Sequence, residues 1–337
     1  MEIPLMESGI LTDMETRNKN SAAAILEQVA GKAQVSTGTV SRVFNNSSLV
    51  PSATRSRVLR AARELGFRPR IGVRNKQIAL VTESPDRTVM GGYVNTMTQY
   101  LCFALSRAGA GITMITEDRI GNLEDCWFDG IIGIAWEDET IRILKTFRNL
   151  PVVWLSDEHA DSFHCVYVDA HKTGRIAGEY LWNRGHRKIA VIHDNDYIGF
   201  HRAEGMRRIL DELGAETPPL AFCNDQPLHL AVKRVMDSGC TAVWVTGEDM
   251  KSVEVYWLVR ELLNRRIPED LSILGFEHPG MTGFLCPSQT SLVSPLREIA
   301  EKAVELVLRD DLKELARIEY PVQLIERNSV KTYPENK

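Results

Sequence analysis

Between two short amphipathic helical patterns this chain leaves only Lys32 to Val35 for a turn. So short a connection admits few arrangements of the helices it joins. The first pattern carries Ile25, Leu26 and Val29 as its apolar set. The second opens at Ser36, buries Val40, Val43 and Phe44, and turns Thr37, Gly38, Ser41 and Arg42 outward. Ser36 is placed to cap it, because its hydroxyl can accept from a first-turn amide that no helical carbonyl reaches. Two helices joined so tightly make a helix-turn-helix, whose second helix is shaped to enter a DNA major groove. A third pattern follows from Ser52, with Val58, Leu59, Ala62 and Leu65 apolar and Gly66 at its left-handed end. It covers the first two, since a two-helix unit cannot enclose a core. Its other face carries Arg55, Arg57, Arg60 and Arg63, which suit solvent or phosphate equally.

Charge favours nucleic acid for the segment as a whole. Residues 21–76 hold ten Lys or Arg against two Glu, a net of +8, while 77–337 carry −11. A cationic head on an acidic body concentrates DNA attraction at the helices. Residues 1–20, net −2, read as a disordered acidic tail without the basic-then-apolar order of a secretory signal. No apolar run approaches the ~20 residues needed to cross a membrane, so a cytoplasmic protein is expected. Cys102, Cys126, Cys165, Cys223, Cys240 and Cys286 are scattered, as buried reduced thiols would be.

From Ile78 the pattern changes. Short apolar runs at Ile78–Val81, Ile112–Ile115, Gly130–Ile134, Val152–Leu155, Ile189–Ile192, Ala242–Val245 and Leu271–Gly275 read as strands. Helical patterns near 92–108, 138–148, 171–184, 201–213, 228–238, 250–264 and 295–309 lie among them. Such alternation calls for parallel, doubly wound sheets, and the length for two lobes. Trp154 and Trp244 fall inside strands and read as core. Residues 21–69 are thus the head and 70–77 a basic connector. Residues 78–337 form the body, with one lobe over about 78–168 and 292–318 and the other over about 169–291 and 319–330.

Specific residues carry a resemblance. In the head they are Val29-Ala30, Val35-Ser36, Thr39-Val40-Ser41-Arg42-Val43, Asn45, Thr54-Arg55, Ala61-Ala62, Leu65-Gly66-Phe67 and Pro69. In the body, Asp129-Gly130-Ile131-Ile132, Val168-Asp169, Gly185-His186-Arg187-Lys188, Ile267-Pro268-Glu269-Asp270 and Gly275-Phe276 follow in order. The chain resembles the lactose-repressor (LacI/GalR) family from residue 25 to about 327. That resemblance implies an all-α helix-turn-helix head on a two-lobed, periplasmic-binding-protein-like α/β body. It implies an effector-responsive transcription factor, commonly a repressor, whose lobes clasp a small, sugar-derived molecule.

By position, Thr37 and Gly38 stand where the family reads base edges, and Arg42 one turn on can chelate O6 and N7 of guanine. Ser36, Thr39, Ser41, Asn45 and Arg55 suit phosphate contacts, with capping and turn bonding the alternative for Ser41 and Asn45. Tyr93, Asp169, Arg202, Glu248 and Glu277 fall where the family lines its effector cleft. Arg202 heads that set, since a guanidinium holds two oxygens in fixed geometry, although pairing with Glu204 or another carboxylate would serve structure alone. A homodimer on double-stranded operator DNA follows from geometry, because one recognition helix reads only a few base pairs.

Two departures stand out. Gln34 occupies a turn position where the family prefers glycine, so a reshaped turn is expected. Only eight residues separate Pro69 from Ile78, too few for the family's hinge helix, and its minor-groove leucine is absent. Ile71 or Val73 could act as wedge, but Gly72 weakens a helix there. Weak operator bending and coupling through a short tether are therefore expected. Neither metal-ligand spacing nor a phosphate loop, hydrolase signature or cofactor motif appears, so no catalysis, cofactor or metal is expected. The competing reading is a solute-binding sensor with little sequence-specific DNA reading.

Overall fold

The computed structural model describes residues 25–44, 49–67, 75–87, 91–147, 149–215, 219–223, 227–247, 250–309 and 314–333. Asn45, Glu248, the 1–20 tail and the Ile71–Val73 wedge candidates lie outside them.

Three helices open the structure: α1 over 25–33, α2 (Thr37–Phe44) and α3 (Ser52–Glu64). Strand and helix then alternate through β1 (Gln77–Thr82), α4 (Tyr93–Arg107), β2 (Gly111–Thr116), β3 (Gly130–Ile134), α5 (Asp138–Leu144), β4 (Val152–Trp154) and β5 (His164–Tyr167). Next come α6 (Ala170–Asn183), β6 (Ile189–His193), α7 (Tyr197–Glu212), β7 (Leu220–Cys223), α8 (Leu228–Asp237), β8 (Ala242–Val245), α9 (Lys251–Trp257) and β9 (Ser272–Phe276). The chain ends with β10 (Thr290–Val293), α10 (Leu296–Val307), β11 (Arg317–Glu319) and β12 (Gln323–Ile325).

The strands form two six-stranded sheets, ordered β11-β5-β4-β3-β1-β2 and β12-β10-β9-β8-β6-β7. Each contains the same doubly wound order, the second strand beside the first and the third on its other side. β1 runs parallel to β2 and β3, and β6 to β7 and β8, while β12 closes its sheet antiparallel to β10. Central strands β3, β6, β8 and β9 are buried along their whole length, as sheets covered on both faces require. The all-α head and α/β body expected from the sequence are both present.

By its internal contacts the chain divides into two compact units. One holds the three-helix head with β1, β2, β3 and α5; the other holds most of α4 and the chain from Val153 to Leu306.

Within the second unit, α6 and α7 meet along a seam of glycines. A Cβ on Gly174 would fall on the Arg202 carbonyl, and one on Gly205 on the His171 carbonyl. The helices therefore pack backbone to backbone, fixing the residues each carries. Asp169 caps α6, accepting from the Lys172 amide at 2.8 Å, and Asp196 caps α7, accepting from Gly199 at 2.6 Å. The α7 cap lies upstream of the expected start near 201, because the apolar periodicity gives no sign of the first turn.

The sequence pattern also missed β5, β7, β10, β11 and β12. All have three or four residues, and β11 and β12 alternate exposed with half-buried positions. β10 is hidden differently. Thr290 and Ser291, and Gln289 just before them, are wholly buried polar residues; the Ser329 hydroxyl accepts from the Thr290 amide at 2.8 Å and donates to the Ile273 carbonyl at 2.6 Å, and the Gln289 side-chain amide donates to the Phe276 carbonyl at 3.0 Å. All of β10 belongs to the second sheet, including the 291/292 step at which the sequence divided the lobes.

Gly174→Ala is expected to lower unfolding stability by about 1–3 kcal/mol, the usual cost of overpacking. A denaturant titration against the parent checks it, and an unchanged midpoint would mean that the seam is slack.

Candidate functional site

The head's turn is built from a helix ending. Gln34 N–H donates to the Gly31 carbonyl at 3.2 Å and Val35 N–H to Ala30 at 3.0 Å, the paired bonds of a Schellman motif. That motif needs a left-handed residue, and Gln34 sits at φ +54°. α3 ends the same way, with Gly66 at φ +64°. The expected reshaping of the turn is therefore overturned. The turn keeps its geometry and Gln34 carries the strain, on the order of 1 kcal/mol.

Ser36 caps α2 as expected, its hydroxyl accepting from the Thr39 amide at 3.2 Å and lying 3.0 Å from the Thr39 hydroxyl. Val40, Val43 and Phe44 are buried, whereas Thr37, Gly38, Ser41 and Arg42 are exposed together on the outer face. A Cβ on Gly38 would meet nothing closer than the Ser36 hydroxyl at 3.8 Å. Nothing in the head requires glycine at this position, although glycine weakens a helix interior by roughly 0.5–1 kcal/mol.

α3 supplies a surprise. Arg63, read from the sequence as solvent- or phosphate-facing, is turned inward on the body. Its guanidinium donates to the carbonyls of Leu123 at 2.8 Å, Cys126 at 2.7 Å and Glu124 at 3.3 Å. It also lies 5.0 Å above the Phe147 ring. Burial draws its pKa down from the ordinary arginine value, against the pull of neighbouring Glu124 and Asp125. Ser56 donates to Asp125, and the Asn149 amide to the Arg63 carbonyl at 3.5 Å. Arg55 is half-buried and within electrostatic reach of Cys126.

Trp127, which the sequence reading passed over, completes the head's apolar cluster at 8 % exposure. Its ring stands edge-on to Phe44 at 5.0 Å, and Phe44 in turn lies 5.4 Å from Phe67. An aromatic pair, Trp127-Phe128, just ahead of a strand was the available signal, but nothing local ties it to the head.

The second unit gathers the residues expected around an effector. Arg202, on α7, is 7 % exposed; it donates to the Thr246 carbonyl at 2.6 Å and lies 4.2 Å over the Phe276 ring. Thr246 follows β8, whose end lies beside that of β6 at the point where the strand order reverses, the crevice in which such sheets take ligands. Tyr93 opens α4 and donates from its hydroxyl to the Leu155 carbonyl at 3.4 Å. Glu277 is engaged through both oxygens by Arg327 at 2.7 and 2.8 Å. Burial alone would raise its pKa, but hydrogen bonds from Arg327, Thr282 and Ser291 carry it below the usual value. His278 places Nε2 2.8 Å from the Gly91 carbonyl.

Further residues join this set. Burial raises the Asp157 pKa, with Asp169 adding to it and His201 opposing; Asp157 Oδ1 has no partner among the described residues. Tyr197 stacks on His201 at 4.0 Å, one turn along α7. The Tyr167 and Tyr197 hydroxyls have pKa values raised by burial and then by the same carboxylates. Carboxylates and aromatic rings thus surround Asp169, together with the Lys172 ammonium, 3.6 Å from Asp169 and 2.6 Å from Glu319. Among the described residues no His, Cys, Asp and Glu group fit for a metal ion occurs.

Comparison with known proteins decides the family. Residues 25–70 match the model of the bacterial regulatory proteins of the lacI family, and residues 178–330 match that of the periplasmic binding protein-like domain. The chain joins a lacI-family helix-turn-helix to a periplasmic binding protein-like domain. Among its relatives is the HTH-type transcriptional repressor PurR of Klebsiella pneumoniae, 26% identical over 92% of this chain and 98% of the relative. PurR of Salmonella arizonae matches at 26% over the same shares. The complex of the transcriptional regulator CelR with cellobiose superposes with a TM-score of 0.67 at 26% identity, over 90% of this chain and 99% of the other. A lac repressor dimer bound to operator shares the fold, at TM-score 0.66 and 20% identity over 90% of this chain and 98% of that one.

The strained turn makes an expected outcome. Gln34→Gly relieves the left-handed residue and raises the head's stability by about 1 kcal/mol. Thermal unfolding followed at the head checks it, and a destabilised variant would show that the Gln34 side chain holds the turn.

Proposed function

We propose that the protein is a transcriptional repressor that binds operator DNA as a homodimer and is controlled by a small effector. The observation that carries this reading is the exposed face of α2. Thr37, Gly38, Ser41 and Arg42 are presented together on a head that, with its connector to residue 76, carries a net charge of +8, and the glycine has no role in the head's own packing. A helix that gives up stability where it would touch a duplex is accounted for by close approach to bases. Arg42 serves as the guanine-reading side chain. Ser36, Thr39, Ser41 and Asn45 are assigned to phosphates, and Arg55 on α3 to a further phosphate. The relatives named as repressors support the regulatory outcome.

For the effector, the reading is a neutral, polyhydroxylated molecule of sugar type, held by Tyr93, Asp169, Arg202, Glu248 and Glu277. Carboxylates accept from hydroxyls and rings cover the apolar face of a sugar. Asp157 and Asp169 supply acceptors for the hydroxyl groups of such a molecule. Glu277 acts through Arg327, whose guanidinium it orients. The CelR–cellobiose complex is in keeping with this class. No catalytic step is assigned to any residue. The protein is read as cytoplasmic, and no described helix is long and apolar enough to cross a membrane.

Selection of bound duplexes from a random pool tests the reading. A palindrome is expected, with a guanine in each half-site whose preference falls by about 1–3 kcal/mol in Arg42→Ala. Gly38→Ala is expected to stabilise the head by roughly 0.5–1 kcal/mol while weakening operator binding. No enriched motif, or a Gly38→Ala variant that binds as tightly as the parent, would overturn the assignment. For the effector, neutral sugars are expected to shift operator affinity in a titration where phosphorylated sugars do not; the opposite ranking would exclude the sugar class proposed.

A further inference from the structure

The body does more than carry the head. We infer that it holds the head in a fixed seat, and that Trp127 and Arg63 are positioning residues which set the separation of the two recognition helices on DNA. This rests on the dimeric, operator-binding reading above.

Three observations meet here. First, the head's core is closed from outside its own helices: Trp127 packs on Phe44, a residue of the recognition helix itself. Second, Arg63 inserts its guanidinium among the carbonyls that end the 3₁₀ segment Glu117–Asp125, where unpaired helical carbonyls attract a cation. Ser56 and Asn149 add polar contacts on either side. Third, the seat leaves the reading face clear, since Thr37, Gly38, Ser41 and Arg42 remain exposed.

The seat is itself braced. Asp118 accepts from the Ser84 hydroxyl at 3.2 Å, tying the segment to the end of β1. Buried Glu117 accepts the amides of Trp136 and Glu137 at 2.8 and 2.6 Å, where α5 begins. α5 then leads to Phe147 and Asn149, which touch Arg63. The ends of β1, β2 and α5 are thus joined into the support on which the head rests.

Magnitudes decide between seat and tether. Eight residues join Pro69 to Ile78. Acting alone as a flexible link, they would let each head wander on the order of 15 Å. That is several base-pair steps of about 3.4 Å, so a tethered head would tolerate half-sites at many separations. A seated head tolerates few, and the register of the two half-sites is then fixed by the body.

The test repeats the duplex selection with half-sites held constant and their centre-to-centre spacing randomised. The parent is expected to prefer one spacing over its neighbours by at least about tenfold, the gain of engaging both heads at once. Trp127→Ala is expected to keep the same half-site sequence but flatten the spacing preference to within about twofold. An equally sharp preference in Trp127→Ala would overturn the inference. Should Trp127→Ala bind no DNA, a parent with a short Gly-Ser insertion between Gly72 and Val73 decides. A sharp preference retained in that variant supports the seat; a flattened one shows that the tether, not the seat, sets the register. If the parent itself selects no palindrome, the regulatory reading fails instead, and the two failures are distinct.

Discussion

The edge-on contact of Phe44 with Trp127 is the interaction on which the DNA-facing half of the molecule turns. Three short helices enclose too small a core to bury Phe44 from every side. The side left open is filled by an indole that comes from just ahead of β3. An aromatic side chain of this size removes roughly 150–250 Å² from water, which makes it the largest single contribution available at that place. Because Phe44 ends the recognition helix, the same contact that completes the head's core also fixes where its reading face points. Arg63 then restricts rotation about that contact, through donors aimed at three carbonyls of one segment.

The effector half depends on a different constraint, close backbone packing. Gly174 and Gly205 allow α6 and α7 to touch, which fixes the start of α6 at Asp169 and the middle of α7 at Arg202. Tyr197 and His201 ride on the same locked helix. Arg202 is further held by the Thr246 carbonyl and the face of Phe276. A guanidinium held from several directions can be used for recognition without first paying for its own ordering. Glu277 and Arg327 form a similar pre-set pair. The chemistry that remains around Asp169, with Asp157, Tyr167 and Tyr197, is rich in acceptors for hydroxyl groups.

Much of this was legible in the sequence, for identifiable reasons. The helix-turn-helix could be read because its periodicity, its Ser36 cap and its short turn are all local signals. The central strands were visible because strands buried on both faces are continuous apolar runs. What stayed hidden depends on partners remote in sequence. β10 buries polar residues whose partners, the Ser329 hydroxyl and the Arg327 amide on Thr290, come from far along the chain. Arg63 resembles its neighbours on α3 until the Leu123–Cys126 carbonyls are brought to it. Gln34 was expected to reshape the turn, whereas the two paired hydrogen bonds hold it in a left-handed conformation. Asp157 and His201 carried no motif, and only the packing of α7 brings them together.

The central question is whether the head keeps its seat while it reads DNA. Amide hydrogen exchange on the full chain, free and bound to its selected operator, measures this most directly. Added protection is expected in α2 on binding, with residues 117–127 as slow to exchange in the complex as in the free protein. Loss of protection across 117–127 when operator binds would contradict it, showing that the head leaves its seat to reach the groove.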